Sequence, residues 1–345
     1  MARSTFMKKV LVTGGTGFLG LQIILQLLNK GYDVRTTIRK ESGQDRILKA
    51  LQANNVKNIS KLSFIKADLS SDDNWIEAMQ DRDGVFSVAS PVFFDKPKNE
   101  LDAIRPALNG TMRILKAANE SGVKRVVMTS NFGAVGFSKK SGVTTENDWT
   151  DENQPGLSIY EKSKLLAEKA AWNYVNKANV NLELVTVNPV AIFGPALEAH
   201  VSGSFDLLKN LLSGKMSLIP NLPLNVVDVR DVADIQIRAM ESPEATGQRF
   251  IASADGQISM REIAALIQQR RPQIARKVSS KKLPDWLVDI GALFNETAKE
   301  GKLMKIMNRN VSNQKAKNIL GWEPLSNNET AVLSAVDSLI KYNEF

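Results

Sequence analysis

The 345-residue chain contains no cysteine, which excludes disulfides, thiolate nucleophiles and cysteine-ligated metals. Histidine occurs once, at His200. A histidine-dependent triad has little support, and His200 reads as a surface or substrate-lobe residue rather than a catalyst. No metal site is expected. No apolar run approaches the ~18 residues of a membrane span, and Met1 to Lys9 is too short and too polar for a signal peptide. The expectation is a cytoplasmic protein without a membrane partner. Dense basic clusters are missing as well. The formal charge is +8, from 45 basic and 37 acidic residues. The basic side chains are dispersed, however, and the pairs Arg270-Arg271 and Lys281-Lys282 lack interleaved aromatics. This argues a solvated surface that attracts anionic ligands rather than a nucleic-acid interface.

What remains is the composition of an ordinary globular protein, 43% hydrophobic and 24% charged, long enough for two domains or one large one. Its most informative stretch is Val10-Leu11-Val12-Thr13-Gly14-Gly15-Thr16-Gly17-Phe18-Leu19-Gly20. An apolar run leads into glycines spaced Gly14-x-x-Gly17-x-x-Gly20. After them Phe18, Leu21, Leu25 and Leu28 recur at helical spacing. The pattern predicts a strand, a tight turn and a helix. Glycine lets the backbone take positive φ and approach a ligand closely. The helix then directs unpaired N–H groups and its positive dipole end at whatever lies above, which suits a dinucleotide pyrophosphate.

Downstream, strands are predicted at Tyr32 to Ile38, Lys61 to Ala67, Gly84 to Ala89, Arg125 to Thr129, Leu182 to Val187 and Arg249 to Ala252. Helices are predicted at roughly Ala103 to Asn119, with Ile104, Leu108, Met112 and Leu115 inward, and at Ser158 to Asn176. A further helix aligns Val232, Ile235 and Ala239, and others cover Met260 to Arg270 and Ala331 to Lys341. Gly31 is placed at the C-terminal end of the first helix. Ser70 to Asp73 are assigned as the cap of a short helix holding Trp75, Ile76 and Met79. Strands alternating with helices argue a doubly wound Rossmann α/β fold with a mainly parallel sheet. Residues 1–188 plus about 226–255 are assigned to the cofactor domain. Residues 189–225 plus 256–345 are assigned to a smaller, mostly helical substrate lobe. The irregular stretch 131–157 is too long for a plain connection and marks a functional loop.

Cofactor type is read at the end of the second strand. An acid there binds the ribose of NAD. This chain has Arg39-Lys40 instead, and Asp33 lies at the wrong end of the strand. Cations in that place favour the 2′-phosphate of NADP. Asp68 is read as an acceptor for the adenine amino group, or as a local cap. The predicted helix at 158–176 carries Tyr160 and Lys164, four apart and so on one face. A tyrosine with pKa ~10 is a poor acid near neutrality. A lysine ammonium beside it favours phenolate and lowers that pKa, and it can also hydrogen-bond a nicotinamide ribose.

At these residues the chain resembles the extended short-chain dehydrogenase/reductases, over nearly its whole length. Within them it is similar to the branch of dihydroflavonol, cinnamoyl-CoA and aldehyde or ketone reductases. The resemblance rests on Thr13 to Gly20, Val34 to Arg39, Val88-Ala89-Ser90-Pro91, Asn109-Gly110-Thr111 and Thr129-Ser130. It extends to Tyr160 with Lys164, Asn188-Pro189-Val190 and Val227 to Ala233. It implies an NADPH-dependent reductase acting on a small aldehyde or ketone, as a monomer or homodimer. Tyr160 is the implied proton donor and Lys164 its tuner. The implied cofactor contacts are Gly14, Thr16, Gly17, Phe18, Leu19, Gly20, Arg39, Lys40, Asp68, Leu69, Ala89, Ser90, Pro91, Thr129, Tyr160, Lys164, Pro189 and Val190. One departure stands out. Relatives usually carry Thr-Ser-Ser after the fifth strand and bind the substrate carbonyl with the second serine. Here Asn131 holds that place, so either Ser130 or the Asn131 amide is expected to donate to the carbonyl. Ser87 stands where relatives often have histidine. The alternatives weighed are an NAD-dependent nucleotide-sugar epimerase or dehydratase and a non-catalytic NADP-binding module. Phe93, Phe94, Phe132 and Phe193 are candidates for an apolar pocket, or equally for core.

Overall fold

The computed structural model describes residues 8–90, 100–291 and 296–345. Its centre is a seven-stranded sheet. The first six strands in the chain are β1 (Lys9–Val12), β2 (Asp33–Ile38), β3 (Leu62–Lys66), β4 (Gly84–Ser87), β5 (Arg125–Thr129) and β6 (Glu183–Pro189). Three short strands follow, β7 (Ala191–Phe193), β8 (Pro223–Leu224) and β9 (Val226–Asp228). Then come β10 (Arg249–Ala252) and β11 (Ile258–Ser259). The large sheet runs β10-β6-β5-β4-β1-β2-β3 with every neighbouring pair parallel. Its inner strands are apolar on both faces, and all five residues of β5 are buried, as a sheet covered by helices on each side requires. Chain order reverses between β1 and β4. The crevice beyond their carboxyl ends is where such sheets bind ligands.

The long helices cover the faces. On one side are α1 (Phe18–Asn29), α2 (Ser42–Ala53) and, following α3 to α6 in the chain, α7 (Val229–Glu241). On the other are α3 (Trp75–Met79), α4 (Glu100–Glu120) and α5 (Ile159–Val175). The apolar stripe of α7 is buried through Val232, Ile235 and Ala239, as its spacing predicts. In α4 the inward face is shifted by about one residue. Ile104 and Leu115 are buried, but Leu108 and Met112 are only half-buried, because Ala107, Ile114 and Ala118 occupy the centre of the stripe. Gly31 does close α1, with φ +81° and its N–H donating to the carbonyl of Leu28.

Three local expectations need correction. The cap of α3 is Asn74, in the left-handed region at φ 65°, not a residue among Ser70 to Asp73. Those residues bond to one another instead, Ser70 to Asp68 and Ser71 to Asp73. Strand β4 stops at Ser87 rather than Ala89, because the N–H groups of Val88 and Ala89 leave the ladder for Thr13 Oγ1, at 2.9 and 3.0 Å. Helix α2 had no predicted counterpart.

The remaining elements are α6 (Phe205–Leu212), α8 (Met260–Arg270), α9 (Asp285–Gly291), α10 (Glu296–Ile306), α11 (Gln314–Leu320) and α12 (Asn328–Lys341). Strands β7 and β9 pair in parallel, and β8 pairs with β11. Phe205 of α6 stands edge-on to Phe18, ring centres 5.1 Å apart, and to Phe193 at 5.8 Å. This aromatic cluster joins the C-terminal helices to the first helix of the sheet. Phe193 and Phe132 are both core residues, while Phe93 and Phe94 lie outside the described residues. Among the described residues no helix is long and apolar enough to cross a membrane.

Candidate active site

The glycine turn is shaped by what its backbone touches. Gly14 has φ +72°, and a Cβ there would meet the Ala89 backbone at 2.9 Å. At Gly15 a Cβ would press on Thr36 Oγ1 at 2.2 Å, and at Gly20 on the Gly14 carbonyl oxygen at 2.3 Å. Side chains are thus excluded on both sides of the turn, which leaves bare backbone at the sheet's switch point. Gly17 caps α1 without any side-chain hydrogen bond, and no acid occupies the first turn. The leading N–H groups, including those of Phe18 and Leu19, are left for an anion. The Phe18 and Leu19 side chains themselves are buried in the core.

Arg39 and Lys40 follow β2 directly and are exposed beside this turn. Arg35 is spent elsewhere, bonding the carbonyls of Glu77, Ala78 and Gln80 at the end of α3. Asp33 pairs with Arg82 at 2.6 Å at the opposite end of the strand. Arg46 is a residue that sequence reading missed. From α2 it hydrogen-bonds the carbonyl of Thr16 within the turn and pairs with Glu198 at 3.0 Å. The signal lay in the Ile47, Ala50 and Leu51 stripe that buries α2. Asp68 turns its carboxylate to the N–H and hydroxyl of Ser70. These bonds hold its pKa below the usual carboxylate value, with help from Arg39 and Arg113.

Across the crevice, α5 begins at a cap in which Ser158 Oγ accepts from the N–H of Glu161 at 3.3 Å. This puts Tyr160 and Lys164 on one face of the first two turns. Lys164 Nζ lies 5.9 Å from the centre of the Tyr160 ring. Lys164 is only 7% exposed, and burial lowers its pKa to about 8. Tyr160 keeps 48% of its surface open. The lowering of its pKa expected from Lys164 is not what the structure shows: the protein mass packed around Tyr160 and the charge of Glu161 push its hydroxyl up to about 12. Lys164 joins Leu69, Ala89, Ser90 and Thr129 in lining one small cavity at the carboxyl ends of β4 and β5. Pro91 lies outside the described residues. The Thr129 hydroxyl accepts from Gln236 at 2.9 Å, and Pro189 ends β6, with the Val190 N–H donating to Ala252.

The two candidates for the carbonyl contact point different ways. Ser130 is 2% exposed and donates to Glu168 Oε2 at 2.5 Å, away from the crevice. Glu168 is fully buried and also accepts from Thr186, Asn188, Trp172 and Arg249. Asn188 Nδ2 bridges this carboxylate to the backbone carbonyl of Asn131 at 3.1 Å. The network therefore occupies Ser130 and fixes the main chain of Asn131. Arg249 extends it to the 131–157 loop, binding the carbonyls of Glu146 and Asp148 and stacking 3.6 Å from the Trp149 ring. The single histidine, His200, is exposed and lies in a separate open cleft with Asp206, Lys209 and Glu344.

The parallel order, the glycine turn at its switch point and the α5 face define a Rossmann-type oxidoreductase. The chain belongs to the NAD dependent epimerase/dehydratase family, whose model matches residues 10–252. An anthocyanidin reductase of Vitis vinifera is 32% identical over 283 residues, covering 77% of this chain and 82% of the relative. A dihydroflavonol 4-reductase of Hordeum vulgare is 33% identical over 273 residues, covering 76% and 75%. Among solved structures, yeast methylglyoxal/isovaleraldehyde reductase Gre2 complexed with NADPH superposes with a TM-score of 0.79. It is 27% identical, over 97% of this chain and 99% of that one. The resemblance read from the motifs is thus the right family and the right branch.

Proposed function

We propose that this oxidoreductase uses NADPH to reduce an aldehyde or ketone, with Tyr160 as proton donor. The observation that carries the reading is the pairing on one face of α5 of Tyr160 with buried Lys164, whose Nζ is 5.9 Å from the ring centre and which lines a cavity with Ala89, Ser90 and Thr129. The residues present fit the cofactor. The side-chain-free turn at Gly14 to Gly20 and the uncapped start of α1 suit its pyrophosphate. Arg39 and Lys40, at the place after β2 where an acid would bind the ribose of NAD, suit a 2′-phosphate. When bound, NADPH supplies the hydride that reaches the carbonyl carbon.

The chain's own residues do the rest. Asn131, whose neighbour Ser130 is held by Glu168, offers an amide N–H to the carbonyl oxygen and polarises it. Tyr160 Oη gives that oxygen its proton. The phenolate left behind is stabilised by the Lys164 ammonium, which burial places close to its titration point. About half of the Tyr160 surface remains open.

The test is a coupled oxidation assay with NADPH and NADH over aromatic and aliphatic aldehydes, ketones and diketones. Turnover with NADPH preferred over NADH is expected. Tightly retained NAD in the purified chain, with no carbonyl turnover, points instead to an epimerase or dehydratase. Binding of NADPH without turnover across the panel points to a non-catalytic module.

A further inference from the structure

Asn131 Oδ1 is enclosed and has no hydrogen-bond partner among the described residues. A buried acceptor in that state is costly, and in native proteins it calls for an explanation. The explanation lies over Gly133. A Cβ placed on that glycine would come within 2.9 Å of Asn131 Oδ1 and within 2.5 Å of Glu161 Cγ. The two side chains converge on one point, and only a residue without a side chain leaves room for both. An ionised Glu161 brings acceptors alone to an acceptor, whereas a protonated one brings the missing O–H.

The surroundings favour the acid form. Burial raises the Glu161 carboxyl to about 7, and the negative charge of Glu300 on α10 acts in the same direction. On α5 its charged neighbours are Tyr160, Lys162 and Lys164. Lys162 is turned away to Glu100 of α4, at 2.6 Å, and Lys164 lies beneath the Tyr160 ring. The turn 132–134, packed against α5, contributes Phe132, Gly133 and Ala134, which carry no charge. Lys299 of α10 approaches Gly156 through its backbone carbonyl.

We propose that Glu161 is a positioning residue which, when protonated, donates to Asn131 Oδ1 and so turns Asn131 Nδ2 toward the substrate carbonyl. The inference rests on the reductase reading above. When Glu161 ionises, the amide turns over. Nδ2 goes to the carboxylate and Oδ1 faces the carbonyl oxygen, which it repels. Carbonyl reduction is then supported below the Glu161 titration and weakened above it.

The test follows the side-chain amide of Asn131 by NMR in the asparagine-labelled full-length chain, assigned by its loss in N131A, while pH is taken through neutrality. The expected result is a shift of that resonance with a midpoint near 7 in the wild type and none in E161Q, whose own amide donates at every pH. In turnover, the midpoint of the fall in kcat/KM is expected to move in E161Q from about 7 toward the higher titration of Lys164, about 8. E161L, with no donor, is expected to lose about tenfold in kcat, with KM for NADPH unchanged, because only orientation at the carbonyl is lost. An Asn131 resonance indifferent to pH overturns the proposal, as does an E161Q profile that keeps the wild-type midpoint. If the chain reduces no carbonyl at all, the resonance still decides the pair, so failure of the reductase reading stays distinguishable.

Discussion

Lys164 is sealed beneath Tyr160, its Nζ 5.9 Å from the phenol ring centre, and pairs with no carboxylate among the described residues. A buried ammonium without a paired carboxylate destabilises the fold while charged. The fold therefore carries a local cost at Lys164, the residue proposed above to stabilise the Tyr160 phenolate.

This cost has a defined pH dependence. The folded-state pKa of Lys164 is lowered from 10.5 to about 8. Between those values the unfolded chain binds the proton that the folded chain has released, so this group's contribution to stability rises with pH across that window. Lys164→Met is expected to stabilise the ligand-free protein at neutral pH by about 1–3 kcal/mol. The gain should shrink as pH rises from about 8 to 10.5, while reductase activity falls by at least about a hundredfold. Paired melting curves across that range, alongside an activity assay, check both parts.

The glycine turn predicts a steric result. In Gly20→Ala the new methyl would sit 2.3 Å from the Gly14 carbonyl oxygen, which is backbone and cannot move aside. A loss of at least about 2 kcal/mol in stability is expected, together with loss of NADPH binding. Denaturant unfolding and quenching of protein fluorescence by added NADPH measure the two effects.

Cofactor choice is assigned to the cations after β2. Replacing Arg39 and Lys40 together by alanine is expected to raise KM for NADPH by about tenfold or more while leaving KM for NADH within about twofold. Arg46→Ala is expected to weaken both cofactors alike, because Arg46 bonds the Thr16 carbonyl within the shared turn. Steady-state kinetics with both nucleotides separate these outcomes.

Glu168→Leu removes a buried carboxylate that serves five donors and leaves Arg249 without its ion pair. The expected cost is about 3–5 kcal/mol. The 131–157 loop, which Arg249 ties to the sheet, should become more open to protease than the rest of the chain. Chemical denaturation and limited proteolysis follow the two effects separately.

Much of this was legible before any coordinates. The strands declared themselves because a sheet covered on both faces needs continuous apolar runs, and Val10 to Val12 and Val126 to Met128 supply them. The spacing of Tyr160 and Lys164 survives any uncertainty in helix ends, since four residues make about one turn wherever the helix starts. Other features depend on contacts between distant segments, which no local pattern encodes. Asn74 caps α3 only because its amide reaches the Lys66 carbonyl. Ser130 is diverted because Glu168, 38 residues later on α5, accepts its hydroxyl. Arg35 on β2 is consumed by three carbonyls at the end of α3, a contact that its position four residues before Arg39 does not reveal. Helix α2 buries only Ile47, Ala50 and Leu51, a stripe too narrow to stand out among polar neighbours.

The proposed proton transfer from Tyr160 to a substrate carbonyl oxygen is tested most directly at that hydroxyl. Tyr160→Phe removes one hydroxyl from a half-exposed ring and leaves the Lys164 pocket and the glycine turn in place. This variant is expected to bind NADPH with wild-type affinity but to lose at least about a hundredfold in kcat on the best carbonyl substrate. Near-full NADPH-dependent turnover in Tyr160→Phe would contradict it.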